Sequence, residues 1–284
     1  MRKFVPIMLI AVLVVGAGYA LFVRTQRKPG IEGPVLSARF LDGRLAGTAV
    51  LRTPEGKVVV IDPPARRDFD ALARLLRDQH VTEMTVVLSQ SSSRRSADLQ
   101  GLEQIARIDR VIQPEIGAAA ESWETPAAKA NAKSERTVAA ARGDSLRLSP
   151  TVRLDVLNPA RGAGKSKADA LVFRVRFGEK SILFTSDIDR EGEAALITSG
   201  QSLTSSVLVA SRDEHDSSNS LELLSMVRPE IIVVATSDRP STRLMSRMSA
   251  RNTGAALYRT DKDGEVGIDT NGRSVQVVTE GGER

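Results

Sequence analysis

Cysteine is missing from this 284-residue sequence, and histidine occurs only twice, at His80 and His215. The first absence excludes disulfides, thiolate nucleophiles and Cys-ligated zinc, and it removes redox chemistry as a guide to compartment. The second excludes a His-rich metal centre. Hydrolytic zinc sites take three or more His, Cys or carboxylate ligands and leave one position open, and two distant imidazoles with no HxH or HxxxH spacing cannot supply them. Aromatics are scarce too: seven Phe, two Tyr and Trp123. A stacking platform for single-stranded nucleic acid needs interleaved aromatic side chains, and none is arranged that way. No GxSxG elbow is present for serine nucleophile chemistry. The stretch Gly162–Lys167 (GAGKSK) lacks the GxxxxGK[ST] spacing of a phosphate loop and does not lead from a strand into a helix.

What is present begins with charge and hydropathy. Forty Lys and Arg stand against 35 Asp and Glu, a formal net charge of +5. That favours mild attraction to anionic lipid or nucleic acid, a statement about association and not about fold. Residues 4–23, FVPIMLIAVLVVGAGYALFV, form an uncharged apolar run of about the 20 residues a spanning helix requires. Arg2 and Lys3 precede it, and Arg24, Arg27 and Lys28 close it. Residues 1–25 are therefore expected to be a transmembrane anchor. The alternative is a cleaved signal peptide, with Gly18 and Ala20 as the small residues before the cut. The basic flanks nearly balance; the expected arrangement is a single-pass protein with its domain outside the cytoplasm, or a secreted or periplasmic one after cleavage.

Residues 26–34 read as a Pro/Gly linker, and 35–281 as one α/β domain. Lys57–Asp62 (KVVVID) is a β-branched run, joined through Pro54-Glu55-Gly56 to the strand at 48–53 as a hairpin. Helical spacing of Phe69, Leu72, Leu75 and Leu76 predicts a helix over 67–80. A buried strand follows at 84–88, then a polar loop at 89–96, a helix near 97–108 and a short strand at 110–112. Residues 116–142 are Ala-rich and read as a peripheral helical insertion or a loop. Strands return at 145–148, 152–157, 170–177 and 181–185, the last two turning at Gly178-Glu179. Helices at 190–199, 221–227 and 241–251 then alternate with strands at 206–210 and 231–235, and three strands end the chain. Meandering strands that later alternate with helices imply two sheets packed face to face with helices outside.

Several of these segments carry a resemblance. FLDGRLAGTAVLRTPEGKVVVID (40–62), RTVAAARGDSLRLSPTVRLDVLNPA (136–160), ALVFRVRFGEKSILFTSDID (170–189), MVRPEIIVVATSD (226–238) and LYRTDKDGEVGIDTNG (257–272) resemble, in order, the metallo-β-lactamase-like domain of ComEC-type DNA-uptake (competence) proteins. The resemblance implies a four-layer αββα sandwich behind the transmembrane helix. In active members a T-H-x-D-x-D-H-x-G-G loop holds two metals after the strand at 84–88. Here Gln90 and Ser92 stand where the first ligands belong, and Arg94 and Arg95 replace an Asp and a His. A fixed guanidinium repels a divalent metal at short range. The family's HHGS motif falls on Arg212-Asp213-Glu214-His215, and its late His falls near 237–241, where there is none. Asp187 occupies the place of a metal-bridging Asp, and Asp62 that of a structural one.

The expected protein is thus a membrane-anchored, catalytically inactive relative that binds or scaffolds at the envelope, without a cofactor. Asp62 and Asp187 then act as structural carboxylates that accept backbone N–H groups in strand-end turns. The alternative is a divalent-metal hydrolase acting on phosphodiesters, with Mg²⁺ or Mn²⁺ held by Asp187, Asp213, Glu214 and His215, since hard cations accept oxygen ligands. Arg94 and Arg95, with Ser92 and Gln90 beside them, are candidates to bind an anion, because the planar guanidinium fork suits phosphate or carboxylate. The partners expected are the membrane and a nucleic acid or other polyanion.

Overall fold

The computed structural model describes residues 31–45, 47–64, 69–89, 99–115, 136–162, 167–210, 218–236, 240, 242–249 and 253–279. Pro34–Arg284 forms one compact unit and Met1–Gly33 another. The apolar run at 4–23, the expected anchor, lies outside the described residues. Among those residues no helix is long and apolar enough to cross a membrane.

Two sheets make up the larger unit. The first has eight strands: β1 (Leu36–Phe40), β2 (Ala49–Arg52), β3 (Val58–Ile61), β4 (Glu83–Val87), β5 (Arg107–Pro114), β6 (Thr137–Ala140), β14 (Val266–Thr270) and β15 (Val275–Thr279). Their order is β15-β14-β1-β2-β3-β4-β5-β6. The second has seven: β7 (Ser145–Arg147), β8 (Val152–Asn158), β9 (Val172–Phe177), β10 (Lys180–Phe184), β11 (Val207–Val209), β12 (Ile231–Val234) and β13 (Ala256–Arg259), in the order β13-β12-β11-β10-β9-β8-β7. Each sheet starts as an antiparallel meander and ends as a parallel run, β3 to β6 in one and β10 to β13 in the other.

Period-2 alternation explains how the layers stack. On β3, Val59 and Ile61 enter the central core while Val58 and Val60 face the helices. That central core joins Phe40, Leu51 and Ile61 of the first sheet to Leu154, Phe173 and Phe184 of the second. Outside the first sheet lie α1 (Phe69–Asp78) and α2 (Leu99–Glu103), which bury Leu72, Leu76 and Leu102 on Val60, Val86 and Ile108. Outside the second lie α3 (Arg190–Ile197), α4 (Leu221–Val227) and α5 (Thr242–Met248); Leu196, Leu223 and Met248 pack there on Leu183, Leu208 and Ile232. The arrangement is the four-layer αββα sandwich that the resemblance implies. Each fully buried Leu, Ile or Phe contributes roughly 1.5–3 kcal/mol by leaving water.

Three local readings need correction. Thr137–Ala140, inside the stretch expected to be an Ala-rich insertion, is strand β6, paired in parallel with β5; pairing overrides the helical propensity of alanine. Residues 116–135 of that stretch lie outside the described residues. The helix expected near 97–108 is described only as Leu99–Glu103, and the strand expected at 110–112 runs from Arg107 to Pro114.

The last two strands return to the first sheet. β14 pairs with β1, where Ser37 Oγ donates to Asp269 Oδ1 at 2.7 Å across 232 positions, and Arg39 grips the same carboxylate with both Nη groups. The turn after β14 meets the β9–β10 turn: Glu179 N donates to Gly272 O at 2.7 Å. A Cβ on Gly178 would stand 2.7 Å from that same oxygen, so only glycine fits there.

Candidate functional site

In sheets of this kind ligands bind beyond the carboxyl ends of the parallel strands. Those ends meet here between the two sheets. Asp62 follows β3 with φ at 47°, in the left-handed region that short polar residues tolerate. Its Oδ1 accepts the Ser89 N–H at 2.7 Å and its Oδ2 the Ser89 hydroxyl at 2.5 Å. Ser89, just after β4, is 1% exposed, so this carboxylate supplies the acceptors for a buried N–H and O–H. The Ser89 carbonyl accepts the Leu171 N–H at 2.7 Å, and the Leu171 carbonyl accepts the Ser186 hydroxyl at 2.6 Å. A relay of hydrogen bonds therefore runs from β3 and β4 of one sheet to the start of β9 and the end of β10 in the other.

Neighbouring strand ends are closed in the same way. Thr48 Oγ1 donates to Asp62 O at 2.8 Å, and Thr185 Oγ1 to Val209 O at 2.9 Å. Thr260 Oγ1 accepts the Thr236 N–H at 2.9 Å and donates to the Thr236 carbonyl at 2.8 Å. Beneath the mouth Phe173 and Phe184 stack with centroids 4.8 Å apart, and Phe40 leans on Phe184 at 6.0 Å. The cavity left between Phe40, Gly47, Asp62, Phe184, Ser186 and Ala210 measures about 30 Å³. That is room for about one or two water molecules.

Asp187 is half-buried one residue beyond Ser186, with its Oδ1 withdrawn from solvent. Asp189 serves α3 instead: it is the N-cap, and its carboxylate accepts the Gly192 N–H at 3.0 Å. Gln90, Ser92, Arg94 and Arg95, and likewise Asp213, Glu214 and His215, lie outside the described residues.

Whether these residues suit a two-metal centre follows from the donor set. His80 comes after α1 and before β4, at the strand end away from the mouth. That leaves one imidazole in the whole chain that could reach it. Of the two carboxylates placed there, Asp62 already spends both oxygens on Ser89. Among the described residues no group of three or more His, Asp or Glu could hold a metal ion. The residues do not fit a His-rich binuclear centre, and no catalytic step through one follows from them.

The geometry can now be set beside known proteins. The chain matches no family model, and no curated protein is similar to it at a significant level. Solved structures do match. CmlA, a diiron β-hydroxylase from Streptomyces venezuelae, aligns over 82% of this chain with a TM-score of 0.54 and 12% identity; its E377D mutant aligns at the same TM-score and coverage with 10% identity. The fold is shared with CmlA. At that identity the likeness shows the fold alone, and the chain spans about half of CmlA, 53% of its length. ETHE1 from Myxococcus xanthus also matches, at 13% identity over 84% of this chain and 78% of its own, but its TM-score of 0.38 is too low to argue from.

Sequence reasoning pointed to Asp62 and Asp187 at the mouth but not to Ser89, Leu171 and Ser186 as the residues that close it. Two of those links are backbone groups, which no residue type announces.

Proposed function

We propose that this chain is a membrane-tethered, non-catalytic αββα domain of the metallo-β-lactamase type, resembling that of ComEC-type proteins, which binds or scaffolds at the cell envelope. The observation that carries this reading is the Asp62–Ser89–Leu171–Ser186 relay. The strand ends at the mouth hold the two sheets together through these bonds, and among the described residues no group of three or more His, Asp or Glu could hold a metal ion beside them. The tether rests on the apolar run at 4–23 and its basic flanks, and the position outside the cytoplasm is part of the same proposal. Metal analysis of the purified full chain tests the first part. Substoichiometric metal after dialysis is expected, whereas near-stoichiometric tightly bound zinc or manganese would sink it. Resistance of the membrane-associated chain to alkaline carbonate extraction tests the tether.

A second reading keeps one observation on its side: Asp187 sits half-buried beside the mouth. With Asp213, Glu214 and His215 it would make an oxygen-rich site for Mg²⁺ or Mn²⁺, suited to phosphodiester hydrolysis. It expects Mn²⁺-dependent phosphodiesterase activity that Asp187→Asn abolishes. Absence of turnover across Mg²⁺, Mn²⁺ and Ca²⁺ eliminates it.

A further inference from the structure

Strand β5 breaks its own alternation. Met84 pairs with Ile108 and Thr85 with Arg110, which leaves Asp109 as an extra residue in the ladder, a β-bulge. A bulge switches the faces of the residues that follow. Ile108 and Val111 accordingly pack under the helices, while Ile112 enters the central core. Arg110 is thereby placed on the Ile112 side, facing the other sheet. Regular alternation would have turned it outward with Ile108.

From there it reaches β7, the edge strand of the opposite sheet, where its Nη2 donates to the Arg147 carbonyl at 2.8 Å. Its Nε is withdrawn from solvent and has no hydrogen-bond acceptor among the described residues. Arg136 comes in from the start of β6, with Nη1 donating to the Ile108 carbonyl at 3.0 Å and Glu103 3.5 Å away. Arg147 itself is exposed. Together they line an open groove of about 450 Å³ that also includes Asp109, Val138 and Ser149. The cations outnumber the carboxylates. Among the described residues Asp109 is the one carboxylate lining the groove, and nearby Glu55 is occupied by the hydroxyl of Thr151 at 2.7 Å and by that of Ser149. Each guanidinium has five donors, and the bonds of Arg110 and Arg136 described above use only some of them.

We propose that this groove binds a phosphate-class oxyanion, taken either from a free polyphosphate or from a phosphodiester backbone. Arginine forks match phosphate oxygens in pairs, and the volume lies in the range of small-ligand pockets. The groove shares no residue with the mouth, so it stands or falls independently of the proposed function.

The full chain is titrated with inorganic pyrophosphate by calorimetry, and with a labelled duplex oligonucleotide by anisotropy at several salt concentrations. Arg147→Gln is the main variant, because the backbone carbonyl that Arg110 uses survives it, and an unchanged melting temperature verifies its fold. Saturable pyrophosphate binding that Arg147→Gln weakens about tenfold or more supports the site with a free polyphosphate as source. Duplex binding whose salt slope drops by about 1 in Arg147→Gln supports it with a backbone as source. No saturable binding of either probe overturns it. So does binding that neither Arg147→Gln nor Arg136→Gln alters.

Discussion

The mouth between the sheets and the groove at their edge are built from the same two layers, yet they have opposite characters. At the mouth the strand-end groups of Asp62, Ser89, Leu171 and Ser186 are bonded to one another inside the protein. Asp62 is met by Ser89, Ser89 by Leu171, and Leu171 by Ser186, and the space left is small. At the edge, cationic donors outnumber acceptors and the space is open. A fold of this class directs attention to its strand ends, but satisfied groups stabilise and surplus groups recruit. The difference lies in which end has donors left over.

The comparison can be broken hardest at the mouth. Phe184→Ala removes a ring that is stacked on Phe173 and lines the small cavity; a loss of about 3–5 kcal/mol is expected for such a core truncation, read by chemical denaturation. Asp62→Ala strands two buried donors of Ser89 and puts an alanine at positive φ, so about 2–4 kcal/mol should go. Asp62→Asn should lose less, because the amide oxygen still accepts and asparagine tolerates that backbone. If Asp62→Ala instead leaves stability unchanged and abolishes an activity, the mouth is a working site and not a seam.

At the edge the expected effects shrink. Arg110→Met removes one hydrogen bond to the β7 carbonyl and should cost about 1 kcal/mol. Smallest is Glu55, exposed on the β2–β3 turn. Burial pulls its carboxyl upward, but hydrogen bonds from Ser149, Thr151, its own backbone N–H and Thr53 outweigh this and hold it at about 2, below the ordinary 4.5. A depressed carboxylate pKa stabilises the fold above the unfolded value, and that contribution is lost as pH falls from about 4.5 towards 2. Glu55→Gln should therefore lower the melting temperature at pH 7 by about 2 °C or less, given its exposure, and the difference from the parent chain should vanish near pH 2.

How much of this was legible in the sequence follows from where the information sits. KVVVID and the Pro54-Glu55-Gly56 turn announce β3 and its hairpin through residue type alone, and Gly178 marks the next hairpin. β6 was hidden because Thr-Val-Ala-Ala next to an Ala-rich stretch has weak local preference, and only pairing with β5 decides it. β5 was read too short because Asp109 breaks the period that would have revealed it. At the mouth, two carboxylates were visible as strand-end Asp residues. The closing relay was not, since it depends on the Ser89 and Leu171 backbone. The edge groove gathers Arg110 from β5, Arg147 from β7 and Arg136 from just before β6, and no spacing in one chain segment connects them.

One earlier feature bears on the order in which the chain can be completed. β1 has β2 on one side and β14 on the other, and Asp269 holds Ser37 and Arg39 from 232 and 230 positions away. As the polypeptide emerges from the ribosome, β1 can pair with β2 almost at once, but its second flank stays open until β14 (Val266–Thr270) has been made. An unpaired flank is a template for other chains, and distant pairings form slowly. Nascent chains should therefore depend on chaperone shielding of β1 until late in synthesis, and chains truncated before Val266 should aggregate even though both helical layers are present.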